Sequence, residues 1–410
     1  MNSLNVRNCK PMKTLVFTKS GLKKIENILT GDEVLTSVGF FRVIEIFYQG
    51  IQSIVQIKTN IGTSICTPEH RMAVLYSPNT YIWKKTTELL NTDYLVFLPN
   101  SIEGSYTSLP VFNYTSHRCY TPELNTDITW FLGYISINGK IENEDFSTAR
   151  TTGTITSGLR PAVRSVVFCL TGKNLEILNK CISIISMFDN NLNTVPIEET
   201  NDIYSITINN VDICNYFSIF TGFATEINSC ILESTISKRC SYLAGIFDSC
   251  NISHSYDKNY EPFIVVKSES DYFITQIQSL YSSLGIPTRK CNYIDNFYTL
   301  HIIGLYSCKT WERLIAYYSI SFTKTVEFVK CVNITDDYYF PRNWLNSLNG
   351  PTDFISIDEY KDEYGSYPLY IPIKFESIST INHDEPVYDL SVENKHEYVC
   401  GEGLLNHNCN

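Results

Sequence analysis

The triplet His407-Asn408-Cys409 constrains this chain more than any other stretch. The side-chain amide nitrogen of Asn408 can attack its own main-chain carbonyl, which closes a five-membered succinimide and cuts the bond to Cys409. His407 is placed to polarise that carbonyl or to move the proton. Cys409 carries a thiol, a strong nucleophile once it is deprotonated. The alternative is a disordered polar tail, and the residues upstream decide between the two.

Those upstream residues predict two strands and two tight turns. Residues 385–392 alternate between apolar and polar side chains, residues 393–396 read as a turn, and residues 397–400 read as a second strand. Gly401-Glu402-Gly403 supplies another turn before Leu404. The triplet is therefore expected to be held in a folded structure.

This C-terminal stretch resembles the C-terminal splicing block of an intein. His407 and Asn408 stand where that family keeps its penultimate His and terminal Asn, and Cys409 stands at the first downstream position. The resemblance implies a nucleophile near the start of the element, and Cys9 meets that requirement. Residues 67–70, Thr-Pro-Glu-His, fit the family's T-x-x-H block.

The resemblance also implies a fold class. We expect a multi-domain protein in which an all-β, horseshoe-shaped Hint splicing domain is interrupted by an α+β domain of the LAGLIDADG homing endonuclease type. Residues 100–124 are rich in Ser, Thr, Pro and Tyr and predict a linker. The expected segments are an upstream host stub (1–8), the N-terminal part of the Hint domain (9–110), the inserted domain (125–345), the C-terminal part of the Hint domain (360–408) and a downstream host stub (409–410).

Two stretches inside the insertion carry the second part of the resemblance. Residues 131–139 (FLGYISING) and 243–251 (LAGIFDSCN) align with each other, Gly133 to Gly245, and both resemble the LAGLIDADG motif. In that family two such helices pack side by side, and the acidic residue that ends each helix holds the divalent ions that cleave DNA.

The sequence departs from the family at those acidic positions. The metal-binding acid falls at Asn138 in the first motif and at Cys250 in the second, and Asp248 occupies the earlier acidic position, which does not hold the metal. Mg²⁺ needs carboxylate oxygens, so an amide and a thiol are poor substitutes. Residues 125–345 contain 17 Lys and Arg against 22 Asp and Glu, a net charge of −5, whereas a DNA-binding surface should be basic. We expect a degenerate endonuclease domain, with Mg²⁺ needed only if cleavage survives.

The splicing mechanism that the resemblance implies assigns roles to the other residues. At the upstream junction, Cys9 attacks the carbonyl of Asn8, His70 protonates the leaving nitrogen, and Thr67 stabilises the geometry. At the downstream junction, Cys409 accepts the acyl group with help from Asp389. Asn408 then cyclises, helped by His407 and by His396, which is the weakest of these assignments. No cofactor is expected for splicing, because each nucleophile is intramolecular.

Composition sets the remaining expectations. Only 18% of residues are charged and the chain has 28 Tyr and 22 Phe, which argues against global disorder. None of the 14 Cys forms a Cys-x-x-Cys pair, so neither a zinc site nor a disulfide framework is indicated. No signal sequence or membrane span is expected, and the net charge of −11 argues against a phosphate-bound partner. We therefore expect an intracellular monomer, in the cytoplasm or nucleus with its host, whose partners are the covalently attached host segments (exteins). DNA is a doubtful partner.

Three other functions remain open from the sequence. The first is an active homing endonuclease that makes site-specific double-strand breaks. The second is an autoprocessing domain of the hedgehog or bacterial intein-like kind, which cleaves without ligating. The third is a splicing-dead insertion. The complete set of Cys9, Asn408 and Cys409 favours splicing over all three.

Overall fold

A computed structural model describes most of the chain. The described residues are 8–113, 119–144, 165–172, 174–189, 197–200, 203–220, 226–250, 263–292, 297–322, 338–341 and 354–408. Cys409 lies outside these ranges.

Strands account for most of the first hundred and last forty residues. In the N-terminal third the strands are β1 (Lys10–Pro11), β2 (Leu15–Thr18), β3 (Gly21–Lys24), β4 (Glu33–Thr36), β5 (Gly39–Thr59), β6 (Gly62–Cys66), β7 (Arg71–Ser77), β8 (Thr80–Lys85), β9 (Tyr94–Phe97), β10 (Phe112–Asn113) and β11 (Cys119–Tyr120). Further along, the described strands are β12 (Gly139–Glu144), β13 (Ser165–Gly172), β14 (Ile197–Thr200), β15 (Ile203–Ile208), β16 (Phe263–Ser268), β17 (Thr288–Asn292), β18 (Tyr298–Ile302), β19 (Tyr339–Pro341), β20 (Phe354–Ser356), β21 (Ile371–Val392), β22 (Glu397–Cys400) and β23 (Leu404–His407).

The helices lie between the two strand-rich ends. Within the described residues they are α1 (Thr126–Asn138), α2 (Leu175–Ile185), α3 (Val211–Phe217), α4 (Ser229–Leu232), α5 (Ile236–Ser249), α6 (Asp271–Ser282), α7 (Gly304–Leu314) and α8 (Ile357–Tyr364). None of them is long and apolar enough to cross a membrane.

One sheet of 12 strands joins the two ends of the chain. Its order is β1-β21-β5-β4-β2-β22-β23-β9-β7-β8, with β3 on β2 and β6 on β5. The long strands β5 and β21 pair antiparallel from Val43 to Thr59, and several register shifts let them bend. Strands from the first hundred residues therefore complete their backbone hydrogen bonds with strands made more than 270 residues later.

The end of this sheet follows the sequence prediction closely. β22 and β23 form an antiparallel hairpin in which Glu397 lies opposite His407 and Tyr398 lies opposite Asn406. The turn between them has Gly401 at φ 59° and Gly403 at φ 87°, a backbone conformation that glycine adopts without steric cost. The predicted turn glycines thus set the register that places the last residues of the chain.

The middle of the chain is α+β. It contains a four-stranded sheet in the order β12-β13-β15-β14, a three-stranded sheet in the order β16-β18-β17, and the helices that cover them. α1 and α5 lie in backbone contact at Gly133 and Gly245. A Cβ added at Gly245 would come 1.9 Å from the carbonyl oxygen of Trp130, and one added at Gly133 would come 2.0 Å from that of Tyr242.

Alanine at Gly245 is therefore expected to destabilise the protein. The added methyl group meets backbone, which cannot swing away, so we expect a loss of about 3 kcal/mol or more in the free energy of unfolding. Urea unfolding in a background that combines Cys9→Ala with Asn408→Ala, where neither junction can be cleaved, measures the loss. Ser237→Ala on the exposed face of the same helix is the matched control, and equal stability of the two variants would contradict the close packing.

The described part of the stretch predicted to be a linker, residues 100–113 and 119–124, is packed against the rest of the protein. Ile102, Phe112 and Leu124 are fully buried and belong to the same hydrophobic core as the 12-stranded sheet and the central helices. The composition of residues 100–124 correctly indicated little regular structure. It did not indicate that the few apolar side chains in this stretch are anchored.

Candidate functional site

Cys9 is held by the loop that follows β6. Its backbone N–H donates to Thr67 Oγ1 at 3.1 Å, and the backbone N–H of Thr67 donates to the carbonyl oxygen of Cys9 at 3.1 Å. The side chain of Cys9 is fully buried beside Ile54 and Val387. The first predicted nucleophile is thus fixed against the T-x-x-H loop.

His70 lies in the same loop and is also fully buried. Its backbone N–H donates to the carbonyl of Thr67, and its Nε2 lies 2.9 Å from Asn406 Oδ1. Burial, together with the nearby ammonium group of Lys10, lowers the pKa of His70 well below its ordinary value, and the hydrogen bond to Asn406 only partly opposes this. At neutral pH the ring is therefore uncharged.

Asn408 sits at the other end of the site with an uncommitted side chain. Its backbone N–H donates to the carbonyl of His396 at 3.0 Å, and the residue is fully buried. Neither Nδ2 nor Oδ1 has a hydrogen-bond partner among the described residues. Within the described part of the chain, no hydrogen bond therefore ties the Asn408 side-chain nitrogen to another group.

The main-chain carbonyl carbon of Asn408 is the atom that the side-chain nitrogen of the same residue would attack. His407 Nδ1 makes a short contact with its oxygen, and because a carbonyl oxygen can only accept, Nδ1 must carry the hydrogen. Burial lowers the pKa of His407, an effect that its hydrogen bond to the main chain of Asn408 opposes. The edge-on indole of Trp83, 4.8 Å away between ring centroids, fixes the imidazole.

The two ends of the site meet through Asn8. The Asn8 side-chain Nδ2 donates to the carbonyl oxygen of Asn408 at 3.4 Å and lies 3.3 Å from His407 Nδ1. Cys9 follows Asn8 directly, so residues 400 positions apart in sequence share one buried site. Had the two ends lain on opposite faces of the molecule, no acyl group could pass between them.

Asp389 is buried in β21 on the strand that pairs with the start of the chain. Lys10 lies opposite Tyr388 in that antiparallel pair, and Val387 of the same strand packs beside Cys9. One carboxylate oxygen of Asp389 accepts the backbone N–H of Leu390 at 2.8 Å. Asp389 is therefore on the strand that lies beside the start of the splicing segment.

His396 is the most peripheral of the predicted residues. Its side chain is exposed, and its ring lies parallel to that of His407 with the centroids 6.3 Å apart. Its main-chain carbonyl, which accepts the N–H of Asn408, is the closer link to the site.

Two polar residues of the site were not found from the sequence. Lys10 is 1% exposed, and its ammonium group donates to Ser64 Oγ at 3.2 Å; Asn406 is fully buried between His70 and Cys400. In the sequence, Lys10 stands next to Pro11 and looks like an ordinary exposed lysine. The signal for Asn406 was its place at the end of a buried apolar pair, Leu404-Leu405, where an amide needs a partner.

The positions that correspond to the acidic residues of the LAGLIDADG motif, Asn138, Asp248 and Cys250, lie at or next to the C-terminal ends of α1 and α5. Asn138 Nδ2 donates to the carbonyl of Ser249 at 2.8 Å, so this side chain caps the other helix. Asp248 accepts from Trp130 Nε1 at 2.8 Å and from the backbone N–H groups of Ile320 and Ser321, and is fully committed to holding the fold.

The fit of this constellation to Mg²⁺ is poor. Burial raises the pKa of the Cys250 thiol to about 11, so it is protonated at neutral pH, and Asn138 directs its amide hydrogens at the other helix. Two-metal hydrolysis requires ionised carboxylates at these positions. The residues present do not supply the donor set that the family's metal ions need.

Comparison with known proteins identifies the family. The model of the intein splicing domain matches residues 10–408. The chain therefore belongs to the intein splicing domain family, and autocatalytic protein splicing is the activity that this membership supports. No match is found among curated protein sequences.

Solved structures resemble two parts of the chain. The gp41-1 intein is 27% identical over 22% of this chain and 67% of its own, with a TM-score of 0.19. The homing endonuclease I-DmoI, in complex with DNA and Mn, is 12% identical over 46% of this chain and 96% of its own, with a TM-score of 0.35.

Proposed function

We propose that this protein excises residues 9–408 from a host precursor by autocatalytic splicing and joins Asn8 to Cys409. The observation that carries the proposal is the contact between Asn8 and the Asn408 carbonyl, with Cys9 held against Thr67 and His70 beside it. Both bonds that must break thus border one buried site.

In the first step the Cys9 thiol attacks the carbonyl carbon of Asn8. The thiol proton goes to an acceptor in the site, the C–N bond breaks, and the nitrogen of Cys9 leaves as an amine after taking a proton. Amide resonance opposes this exchange. The hydrogen bond from the Cys9 N–H to Thr67 Oγ1 at 3.1 Å holds the nitrogen in place, and the uncharged ring of His70 is the group able to carry the proton.

In the second step the Cys409 thiolate attacks the resulting thioester. The acyl group moves from the sulfur of Cys9 to that of Cys409, and Cys9 regains a proton. The Asp389 carboxylate is suited to accept the Cys409 proton and return it to Cys9, because its strand register brings it to the Cys9 side of the site.

In the third step the Asn408 side-chain nitrogen attacks the carbonyl carbon of its own residue. The hydrogen bonds from His407 Nδ1 and Asn8 Nδ2 to that oxygen stabilise the negative charge that develops on it. Succinimide formation breaks the Asn408–Cys409 bond. His396 contributes through its carbonyl, which orients Asn408.

The final step needs no protein group. The freed amine of Cys409 attacks its own thioester through a five-membered intermediate, and a peptide bond between Asn8 and Cys409 results. The whole sequence needs no cofactor.

The test is a precursor with a different tag at each end. Splicing gives a ligated tag–tag product together with a free fragment of residues 9–408, identified by intact mass. Separate, unjoined tags would instead point to an autoprocessing domain that cleaves without ligating. An intact precursor would point to a splicing-dead insertion. Either outcome would refute the proposal.

The domain boundaries that we propose follow from the pairing of strands in the 12-stranded sheet. Residues 9–110 and 360–408 form the splicing domain, residues 125–345 form an endonuclease-like insertion, and residues 1–8 and 409–410 belong to the host protein. The shared strands β5 and β21 support the first assignment, and the close packing of α1 and α5 at their glycines supports the second.

The inserted domain is proposed to have lost DNA cleavage, with an active homing endonuclease as the alternative. Its two metal-binding positions are held by Asn138 and Cys250, neither of which offers an ionised oxygen. Incubated with Mg²⁺ and DNA that carries the uninterrupted host site, the protein is expected to make no specific double-strand cut. Discrete fragments on a gel would favour the alternative.

A further inference from the structure

Asn406 links the two ends of the site through a single buried amide. Its Oδ1 lies 2.9 Å from His70 Nε2, while its Nδ2 donates to the carbonyl of Leu404 at 2.6 Å and to the sulfur of Cys400 at 3.2 Å. All of these residues are buried. The side chain therefore connects the loop that holds Cys9 with the strand that leads into Asn408.

The orientation of this amide is fixed by its partners. Exchanging nitrogen and oxygen would bring Oδ1 within 2.6 Å of the Leu404 carbonyl oxygen, and two acceptors at that distance repel. Oδ1 must consequently face His70. Because Oδ1 can only accept, the hydrogen between the two residues sits on His70 Nε2.

The other ring nitrogen of His70 then carries a lone pair. His70 Nδ1 is buried and has no partner with full hydrogen-bond geometry within the described part of the chain, and its contact with the backbone of Asn8 acts to raise the pKa of the ring. The charged and titratable groups that face the ring are Lys10 from β1 and His407 from β23, and both disfavour a second proton on it. Burial and Lys10 outweigh the contact with Asn8, so the resting state is a neutral imidazole whose Nδ1 faces the main chain of Asn8.

We propose that Asn406 is a positioning residue that holds His70 as the Nε2–H tautomer, so that Nδ1 can serve as the base for the Cys9 thiol. The inference rests on the proposed splicing function and deepens its first step. The thiol proton moves to Nδ1 as the sulfur attacks the Asn8 carbonyl carbon. The same proton then moves from Nδ1 to the nitrogen of Cys9 as the C–N bond breaks, which leaves a thioester, a free amine and a neutral His70.

The test isolates the first step in an Asn408→Ala background, where the downstream bond stays intact. Added dithiothreitol cleaves any thioester at Cys9, so the rate of upstream tag release reports on thioester formation. Asn406→Leu, of similar shape but without hydrogen-bonding atoms, is expected to slow release by on the order of 10- to 100-fold. Asn394→Gly, in the exposed turn before β22, is the matched control and should release the tag at the parent rate.

Two readouts separate positioning from mere structural support. In ¹⁵N spectra the His70 ring of the parent should show hydrogen on Nε2 alone, and Asn406→Leu should mix the two tautomers. Asn406→Asp should raise the pKa of His70, because a carboxylate stabilises the charged ring. The base form is then lost below the raised pKa, so release should be slow at acidic pH and recover as the pH rises through it.

The proposal fails if Asn406→Leu keeps the Nε2–H tautomer, or if it releases the tag at the parent rate, since either result shows that Asn406 does not set the tautomer used in the first step. If Asn406→Leu does not fold, as judged by circular dichroism, the pH profile of Asn406→Asp decides, and a profile like that of the parent overturns the proposal. A parent that releases no tag with dithiothreitol would instead refute the proposed splicing function.

Discussion

Replacing Asn408 with Ala is expected to stop release of the downstream segment while the upstream junction stays reactive. The fold leaves the Asn408 amide buried and without a partner among the described residues, beside a carbonyl polarised by His407. Alanine has no nucleophile to replace it, so the rate of downstream cleavage should fall by about 10³-fold or more. Intact mass spectrometry of the tagged precursor should show upstream cleavage on addition of thiol and no free downstream tag.

Cys9→Ala gives the complementary result. This variant cannot form the thioester, so no ligated product should appear, whereas Asn408 can still cyclise and release the downstream tag. Asn394→Gly serves as the control that changes an asparagine without touching the site. Downstream release from Asn408→Ala at the control rate would rule out cyclisation as the cleavage step.

Removing the inserted domain is expected to cost the protein its splicing activity. Helix α6 packs on the turn that leads into the last strand: Ser282 Oγ donates to the carbonyl of Glu402 at 3.0 Å, and Gly403 lies against Phe97 and the Ser282 side chain. Gln278 Nε2 donates to the carbonyl of Ile61 at 2.8 Å, in the hairpin turn before β6. A flexible linker in place of residues 125–345 removes these contacts, and a displacement of about 1 Å at the site can lower a rate by about 100-fold.

The comparison needs a control with the insertion in place. Asp212→Ala in α3, away from the site, should splice at the parent rate, whereas Gln278→Ala combined with Ser282→Ala should slow splicing without removing the domain. The rate of ligated product formation in the tagged precursor measures all four proteins. Parent-like splicing of the linker variant would show that the splicing domain stands alone.

The sequence predicted the ends of the site better than its interior. The succinimide chemistry of Asn408 and the turn glycines 401 and 403 could be read directly, because both depend on neighbouring residues. The glycine pair at 133 and 245 likewise predicted two helices in contact, and the structure places their backbones together.

The interior depends on pairing between distant strands, which one sequence does not reveal. Asn406 contacts His70 across 336 positions, and Lys10 lies on β1, which pairs with β21 near the other end of the chain. The buried anchoring of residues 100–124 escaped prediction for the same reason. Polar composition describes what a segment contains, whereas its contacts depend on the surfaces that fold against it.

The pairing of β5 with β21 also determines when the chain can react. During synthesis β5 is complete once Thr59 has been made, yet its partner ends at Val392, and the oxyanion contacts of His407 come later still. More than three hundred residues must therefore be translated after Cys9 before β21, which pairs with β1, is complete. On the proposed mechanism, therefore, neither junction can be cleaved before the last strands of the sheet have been made.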